Sequence, residues 1–293
     1  MDIPYYPEYK PVERTDKPWF DRAFESEPPV ISEFTFTNIY AWRKAYQFKV
    51  SLLDDLLILS SKSYGSRVFF NPIGKQNPAL AIERILGHGG SFVRVPEKTK
   101  ALFDKNPRVT ITADPDNSDY LYLASELIEL AGGKFDGKRN LIKKFKSQYP
   151  YQYVTFSPEN VQESLAVIQN WCLIKGCDTI EGLDNERSAI KEMVAYFSLF
   201  GISGAGIRVK DELCAFIFAE KLNGGTLVVH VLKADARMPG LYQVMLNEFL
   251  AREARAFTYV NLEQDLGLEG LRKAKRSYQP VAMIQKYRIA SKG

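Results

Sequence analysis

Glu220 and His230 stand on either side of a tight turn signal, Asn223-Gly224-Gly225. Apolar alternation predicts strands over residues 213–221 and 226–232, joined there as a hairpin. A hairpin can carry a carboxylate and an imidazole to neighbouring positions. Such a pair can take a proton from an amine or hydroxyl nucleophile and pass one to a leaving group. The same histidine can instead be a buried structural residue, held by a hydrogen bond within the sheet. The chain has only one other histidine, His88.

A second group of polar residues closes the chain's last third. The run Asn261-Leu262-Glu263-Gln264-Asp265-Leu266-Gly267 leaves a predicted strand, turns at Gly267 and enters a basic helix with Arg272, Lys275 and Arg276. Polar residues at a strand end and in the loop beyond it are well placed to line a cleft. A third candidate is the loop Lys233-Ala234-Asp235-Ala236-Arg237-Met238-Pro239-Gly240 before a long helix. A helix N-terminus offers free N–H groups to an anion, and Lys233 and Arg237 add charge. With one glycine, the loop lacks a glycine-rich cradle, so a plain connection explains it equally well. A fourth is the basic stretch Lys134, Lys138, Arg139, Lys143, Lys144 and Lys146, interleaved with Phe135, Phe145 and Tyr149. It reads first as a solvated helix face and second as a contact for phosphate or a tRNA backbone.

The elements that must position these groups follow a repeated order. Residues 47–52 and 56–61 form a predicted hairpin around Asp54-Asp55. A third strand follows at 67–71, then an irregular Pro72-Ile73-Gly74, a helix over 78–87 and a strand over 91–95. The second half repeats this: strands at 205–209 and 213–221 about Lys210-Asp211-Glu212, a third at 226–232, a loop, a helix over 241–255 and a strand over 257–262. Residues 33–37 alternate as an extended piece, and a helix follows at 40–46. A helix ended by Gly132-Gly133, one over 137–145, one capped by Ser157 ahead of Pro158 and one over 182–200 fill the remainder.

With 293 residues and 45% hydrophobic content, the chain can build two cores rather than one. The reading is an α/β (α+β) protein of two domains, 1–147 and 148–293, each a mixed sheet flanked by helices. A net charge of +4 permits an anionic partner but lacks the strongly basic footprint of a dedicated nucleic-acid binder. No apolar run reaches the roughly eighteen residues of a membrane span, and the N-terminal segment has no signal-peptide pattern. Cys172, Cys177 and Cys214 form no evident disulfide framework. A reducing, cytoplasmic setting is therefore expected. Cys172 and Cys177 lack a second Cys/His pair for zinc, so no metal is expected and the cysteines read as small packed hydrophobes.

The run from Asn261 to Gly267, with Gly270-Leu271-Arg272-Lys273-Ala274-Lys275 and Tyr278-Gln279-Pro280, resembles the C-terminal domain of phosphatidylglycerol lysyltransferase and its soluble bacterial relatives. The start of the middle helix, Gly137-Lys138-Arg139-Asn140, and the segment from Lys233 to Tyr242 fit the same resemblance. It implies two GNAT-like acyltransferase folds in tandem. Membrane-bound members move an aminoacyl group from aminoacyl-tRNA to a lipid headgroup, and related tandem folds attach amino acids to peptidoglycan precursors. Lys275, Tyr278 and Pro280 match the family's lysine and aromatic-x-proline positions.

The function expected is transfer of an aminoacyl or acyl group from a tRNA or thioester donor to an amine or hydroxyl acceptor: a small molecule, lipid headgroup or peptide. Glu220, His230, Asn261, Glu263 and Lys275 are the catalytic candidates. Lys138, Arg139, Asn140, Lys233, Arg237, Gly240, Asp265, Arg276 and Tyr278 are candidates for holding the donor or substrate. No tightly bound cofactor is expected; aminoacyl-tRNA or acyl-CoA would be a co-substrate. Competing readings are an acetyl-CoA-dependent N-acetyltransferase and a binding protein that keeps the fold without chemistry.

Overall fold

The computed structural model describes residues 2–175 and 182–292. The chain folds as two compact units. The first takes the chain up to Asp119 with Gln264–Arg272 and the tail from Met283; the second takes Tyr120–Glu263 with Lys273–Ala282. The first unit's leading segment ends at Asp119, and the strand that begins there joins the second sheet.

Strands β1 (Lys10–Pro11), β2 (Lys49–Leu53), β3 (Leu56–Tyr64), β4 (Ser66–Phe70), β5 (Ser91–Pro96) and β6 (Val109–Ala113) belong to the first sheet. The second contains β7 (Asp119–Leu123), β8 (Tyr151–Thr155), β9 (Ser203–Val209), β10 (Glu212–Asn223), β11 (Thr226–Ala234), β12 (Tyr259–Asn261) and β13 (Ala282–Ile284). The last strand, β14 (Lys286–Ser291), returns to the first sheet. The strand orders are β1-β2-β3-β4-β5-β14-β6 and β13-β7-β12-β11-β10-β9-β8.

The repeat read from the sequence is present in both units. Each has an antiparallel hairpin followed by a third strand, with a parallel neighbour beyond: β4 beside β5, and β11 beside β12. The hairpin turns match in conformation. Asp54 and Asp55 have φ of 50° and 63°; Lys210 and Asp211 have 51° and 66°. Two successive left-handed residues give a turn whose twist suits the strands it joins. The crossover helices bury one stripe each: Ala81, Ile82, Ile85 and Leu86 on Ala79–Gly87, and Leu241, Val244, Met245, Phe249 and Leu250 on Leu241–Glu253. Each large side chain so buried contributes about 1.5–3 kcal/mol. In the first unit this stripe meets Phe69, Phe92, Val95 and Ile289.

Beyond each parallel strand the sheet adds two more strands, the first of them antiparallel: β14 and then β6 past β5, and β7 and then β13 past β12. Three local expectations are corrected. Residues 33–37 are not extended: Thr35 caps a helix, Phe36–Trp42, by accepting the Asn38 N–H at 3.1 Å. Ser157 does not cap a long helix. Asn160 instead takes the Ser157 N–H at 2.8 Å to close a turn, and the helix begins at Ser164. Cys172 is buried and disulfide-bonded rather than a plain small hydrophobe, while Cys214 is buried and free. Cys177 lies outside the described residues.

Candidate functional site

The parallel pair β11–β12 is short. Thr226, Leu227 and Val228 pair with Tyr259, Val260 and Asn261, and β12 then ends while β11 runs on to Ala234. Within β11 the register against β10 slips: Phe218 faces Val231 and Ala219 faces Val229, leaving His230 as the extra residue of a bulge. A bulge re-aims the side chain it carries. His230 Nε2 lies 2.7 Å from Glu220 Oε1 on β10, and Nδ1 lies 2.7 Å from Glu263 Oε1 just past β12. Three segments thus meet at one imidazole where the two parallel strands part.

The electrostatics of this cluster are one-sided. Burial disfavours a charged imidazole, but hydrogen bonds to Glu220 and Glu263 outweigh it and raise the His230 pKa to about 10. At neutral pH the ring is an imidazolium that donates from both nitrogens. In that form it holds two carboxylates, one on each ring nitrogen. The His230 side chain is 2% exposed, against 12% for Glu220 and 20% for Glu263, so the carboxylates reach solvent and the ring does not. The second oxygen of Glu220 makes no hydrogen bond among the described residues.

The polar residues after β12 are held by the backbone. Asn261 is fully buried, and its Oδ1 accepts the Glu263 N–H at 2.7 Å. Glu263 itself sits at φ 59°, a left-handed turn that brings its side chain back to His230. Tyr120 and the loop exchange backbone hydrogen bonds, Tyr120 N–H to Glu263 O and Leu262 N–H to Tyr120 O. Lys275 Nζ donates to Leu262 O at 2.5 Å and lies 5.9 Å from the centre of the Tyr120 ring. Tyr122 Oη in turn donates to the Lys275 carbonyl. Glu220, His230, Asn261, Glu263 and Lys275 therefore gather in one region of the second unit.

A family model described as phosphatidylglycerol lysyltransferase, C-terminal, matches residues 25–290. The chain belongs to that family. Among curated proteins, no sequence match is found. A conserved protein of unknown function from Bacteroides thetaiotaomicron is 32% identical and superposes with a TM-score of 0.88, covering 97% of this chain and 99% of that one. The L-PGS of Bacillus licheniformis shares the fold at 15% identity and a TM-score of 0.67, over 99% and 94% of the two chains. FemX shares it at 8% identity and 0.58, over 97% of each. The fold shared with these proteins has two seven-stranded mixed sheets.

The other residues singled out from the family motif have structural partners in several cases. Lys138 donates to Ser277 Oγ at 2.5 Å, and its ammonium lies 3.9 Å from the centre of the Tyr278 ring. Burial pushes the Lys138 pKa down and the Tyr278 pKa up. Arg139 caps the preceding turn through Leu130 O and Gly132 O and bonds Asp136. Lys134 pairs with Glu126 and Lys146 with Glu248. Asn140 and Arg276 are exposed. Asp265 belongs to the first unit, where it is buried and ion-paired to Arg272 at 2.9 Å.

The loop before the long helix is a connection with its own internal bonds. Arg237 pairs with Asp235 two residues earlier. Lys233 bonds Glu186 at 2.7 Å with its ammonium 3.9 Å from the centre of the Trp171 ring, and Trp171 donates to Tyr242 Oη. Gly240, at φ 97°, is pressed on the helix Asp136–Gln148. A Cβ there would lie 2.3 Å from Leu141 O. Its glycine is explained by packing, not by a phosphate cradle. Glu186, Trp171 and Tyr242 were not legible as neighbours of Lys233, since they come from distant elements. Among the described residues, no group of three or more His, Cys, Asp or Glu is placed to hold a metal ion.

Proposed function

We propose that this protein transfers an aminoacyl group from an ester donor, aminoacyl-tRNA, to an amine or hydroxyl acceptor. The observation that carries the reading is the Glu220–His230–Glu263 cluster at the parting of β11 and β12. Membership of a family named for a lysyltransferase supports the reaction class. The backbone of Leu141 against Gly240 favours tRNA over acyl-CoA, because it crowds the helix N-terminus on which a pyrophosphate would rest.

In the proposed step, Glu220 accepts the acceptor's proton through the oxygen that His230 does not hold. The acceptor nitrogen or oxygen bonds to the ester carbonyl carbon, the carbon–oxygen bond to the donor breaks, and the proton passes to the departing donor oxygen. His230 holds Glu220 and Glu263 in place through its two ring nitrogens, and backbone N–H groups along the unpaired edge of β11 are candidates to stabilise the oxyanion. Lys275 holds the Leu262 carbonyl and with it the Glu263 turn, and its charge favours a donor phosphate.

The test is release and transfer of a radiolabelled amino acid from a mixture of charged tRNAs, with acetyl-CoA run in parallel. Transfer that Glu220→Gln abolishes and Lys275→Ala weakens is expected. Turnover of acetyl-CoA alone replaces the reading with an N-acetyltransferase, and binding without turnover of either donor replaces it with a non-catalytic protein.

A further inference from the structure

The sheet of the first unit ends on β6, which pairs on one side only, with β14. The bonds that flank this pairing fix which backbone groups it uses. Asp114 N–H donates to Lys286 O at 2.8 Å, and Lys292 N–H to Arg108 O at 2.9 Å. Bonded and unbonded pairs alternate along an antiparallel ladder. Residues 108, 110, 112 and 114 therefore turn N–H and C=O toward β14, and Val109, Ile111 and Ala113 turn theirs outward. The N–H and C=O of Ile111 and of Ala113 have no hydrogen-bond partner among the described residues. Such an edge is a template for a further strand, and proteins commonly blunt it with a proline, a charge, a bulge or a very short strand. β1, at the other end of the sheet, is two residues long and includes Pro11. β6 contains neither proline nor charge and pairs with β14 without a bulge.

A groove of about 370 Å³ lies beside this edge. Apolar Phe103, Pro107, Val109 and Ile111 line it together with Lys105 and Lys292. Its acid, Asp104, is taken by Lys100 at 2.9 Å. Lys105, Lys292 and the neighbouring Arg108 are exposed and make no ion pair among the described residues. An added strand satisfies the outward groups of Ile111 and Ala113 and sets alternate side chains over the groove. Unpaired cations on one side of the edge favour a strand that carries carboxylates.

We infer that the β6 edge docks an extended acidic peptide segment of another protein by strand addition, with an apolar side chain in the groove and carboxylates on Lys105, Arg108 and Lys292. A second copy fits less well. In a two-fold antiparallel pairing about Ile111, Arg108 stands across from Asp114, whose carboxylate is buried and already held by Arg94 and Asn117. The cations then find no free acid. Every residue of this surface belongs to the first unit. The inference is independent of the transfer reading.

The probe is a fluorescently labelled, end-blocked seven-residue peptide that alternates glutamate with valine and leucine; its counterpart carries lysine in place of glutamate. Anisotropy is read against the full chain. Saturable binding of the acidic peptide, weakened by salt, with none of the lysine peptide, is expected. Ile111→Pro removes an outward N–H and leaves the ladder to β14 intact, a place where an edge strand tolerates proline. It should weaken binding by about tenfold in protein that stays folded. Lys105→Glu/Arg108→Glu/Lys292→Glu changes exposed side chains only and should exchange the preference, so that the lysine peptide binds and the acidic one does not. This variant decides the matter by itself if the proline variant fails to fold. Binding of neither peptide, equal binding of both, or a preference unmoved by the charge reversal overturns the inference. So does a wild-type dimer in analytical ultracentrifugation that Ile111→Pro dissociates, which gives the edge to a second copy.

Discussion

Each unit gathers charge near its parallel strand pair, but the two gatherings differ in how they meet water. In the first unit, β5 bulges against β14 and turns Arg94 to φ 55°. Arg94 lies 2.8 Å from Glu33 and 2.9 Å from Asp114, and Lys286 reaches Glu33 and Asp119, each at 2.6 Å. Ser32 bonds both oxygens of Asp119. Lys286 and Asp119 have no solvent exposure. In the second unit a bulge again re-aims one residue, His230, but the carboxylates it holds extend to solvent. The same device therefore serves two ends. The first network, centred on the unexposed Lys286–Asp119 pair with Glu33 15% exposed at its edge, ties the C-terminal strand into its sheet; in the second the enclosed group is the imidazole and both of its carboxylates keep partial exposure.

The sharpest way to break this comparison is Lys286→Met. It strips the ammonium from Asp119 and Glu33 and should cost about 3–5 kcal/mol, read as a fall in the urea midpoint. If the first network is purely structural, any loss of transfer activity in this variant will track the loss of folded protein.

The second unit should show its charge in the pH dependence of stability. The folded His230 pKa is raised from 6.5 to about 10. The stability it adds is complete below its ordinary value and is lost as the pH rises through about 10. Unfolding midpoints should therefore fall across that interval, and His230→Gln should flatten the fall. Glu220→Gln removes one of the two carboxylates and should move the fall to lower pH.

A smaller effect separates packing from ligand binding. Gly240→Ala must displace the Leu141 carbonyl and adopt a left-handed φ, costing about 2 kcal/mol in thermal or urea unfolding, with donor affinity unchanged in the protein that remains folded. Least of all, Asn140→Ala should change stability by no more than about 0.5 kcal/mol and leave donor binding as it is, since the residue is exposed.

Much of the fold was legible because it is local. Hairpin turns, strand alternation and the 3.6-residue spacing of Leu241, Val244, Met245 and Phe249 are properties of neighbouring residues, and their repeated order revealed two similar halves. The pairing of Glu220 with His230 was legible for the same reason, being contained in one hairpin. Thr35 was misread because capping competes with extended backbone in a short polar stretch. β8 and β14 went unread because short strands take their partners from far along the chain, and an isolated segment has no pattern that names its neighbour.

The sequence by itself determined the α/β class, the tandem repeat and the family, since these rest on periodicity and on a motif written in consecutive residues. Only the tertiary structure decided that Glu263 completes the His230 cluster, that Asp265 two residues later serves a different unit, and that Gly240 yields to a neighbouring helix. Those assignments depend on a single left-handed residue, a one-residue bulge and a backbone approach of a few ångströms. Such features arise when separate elements pack together, and no local pattern encodes them.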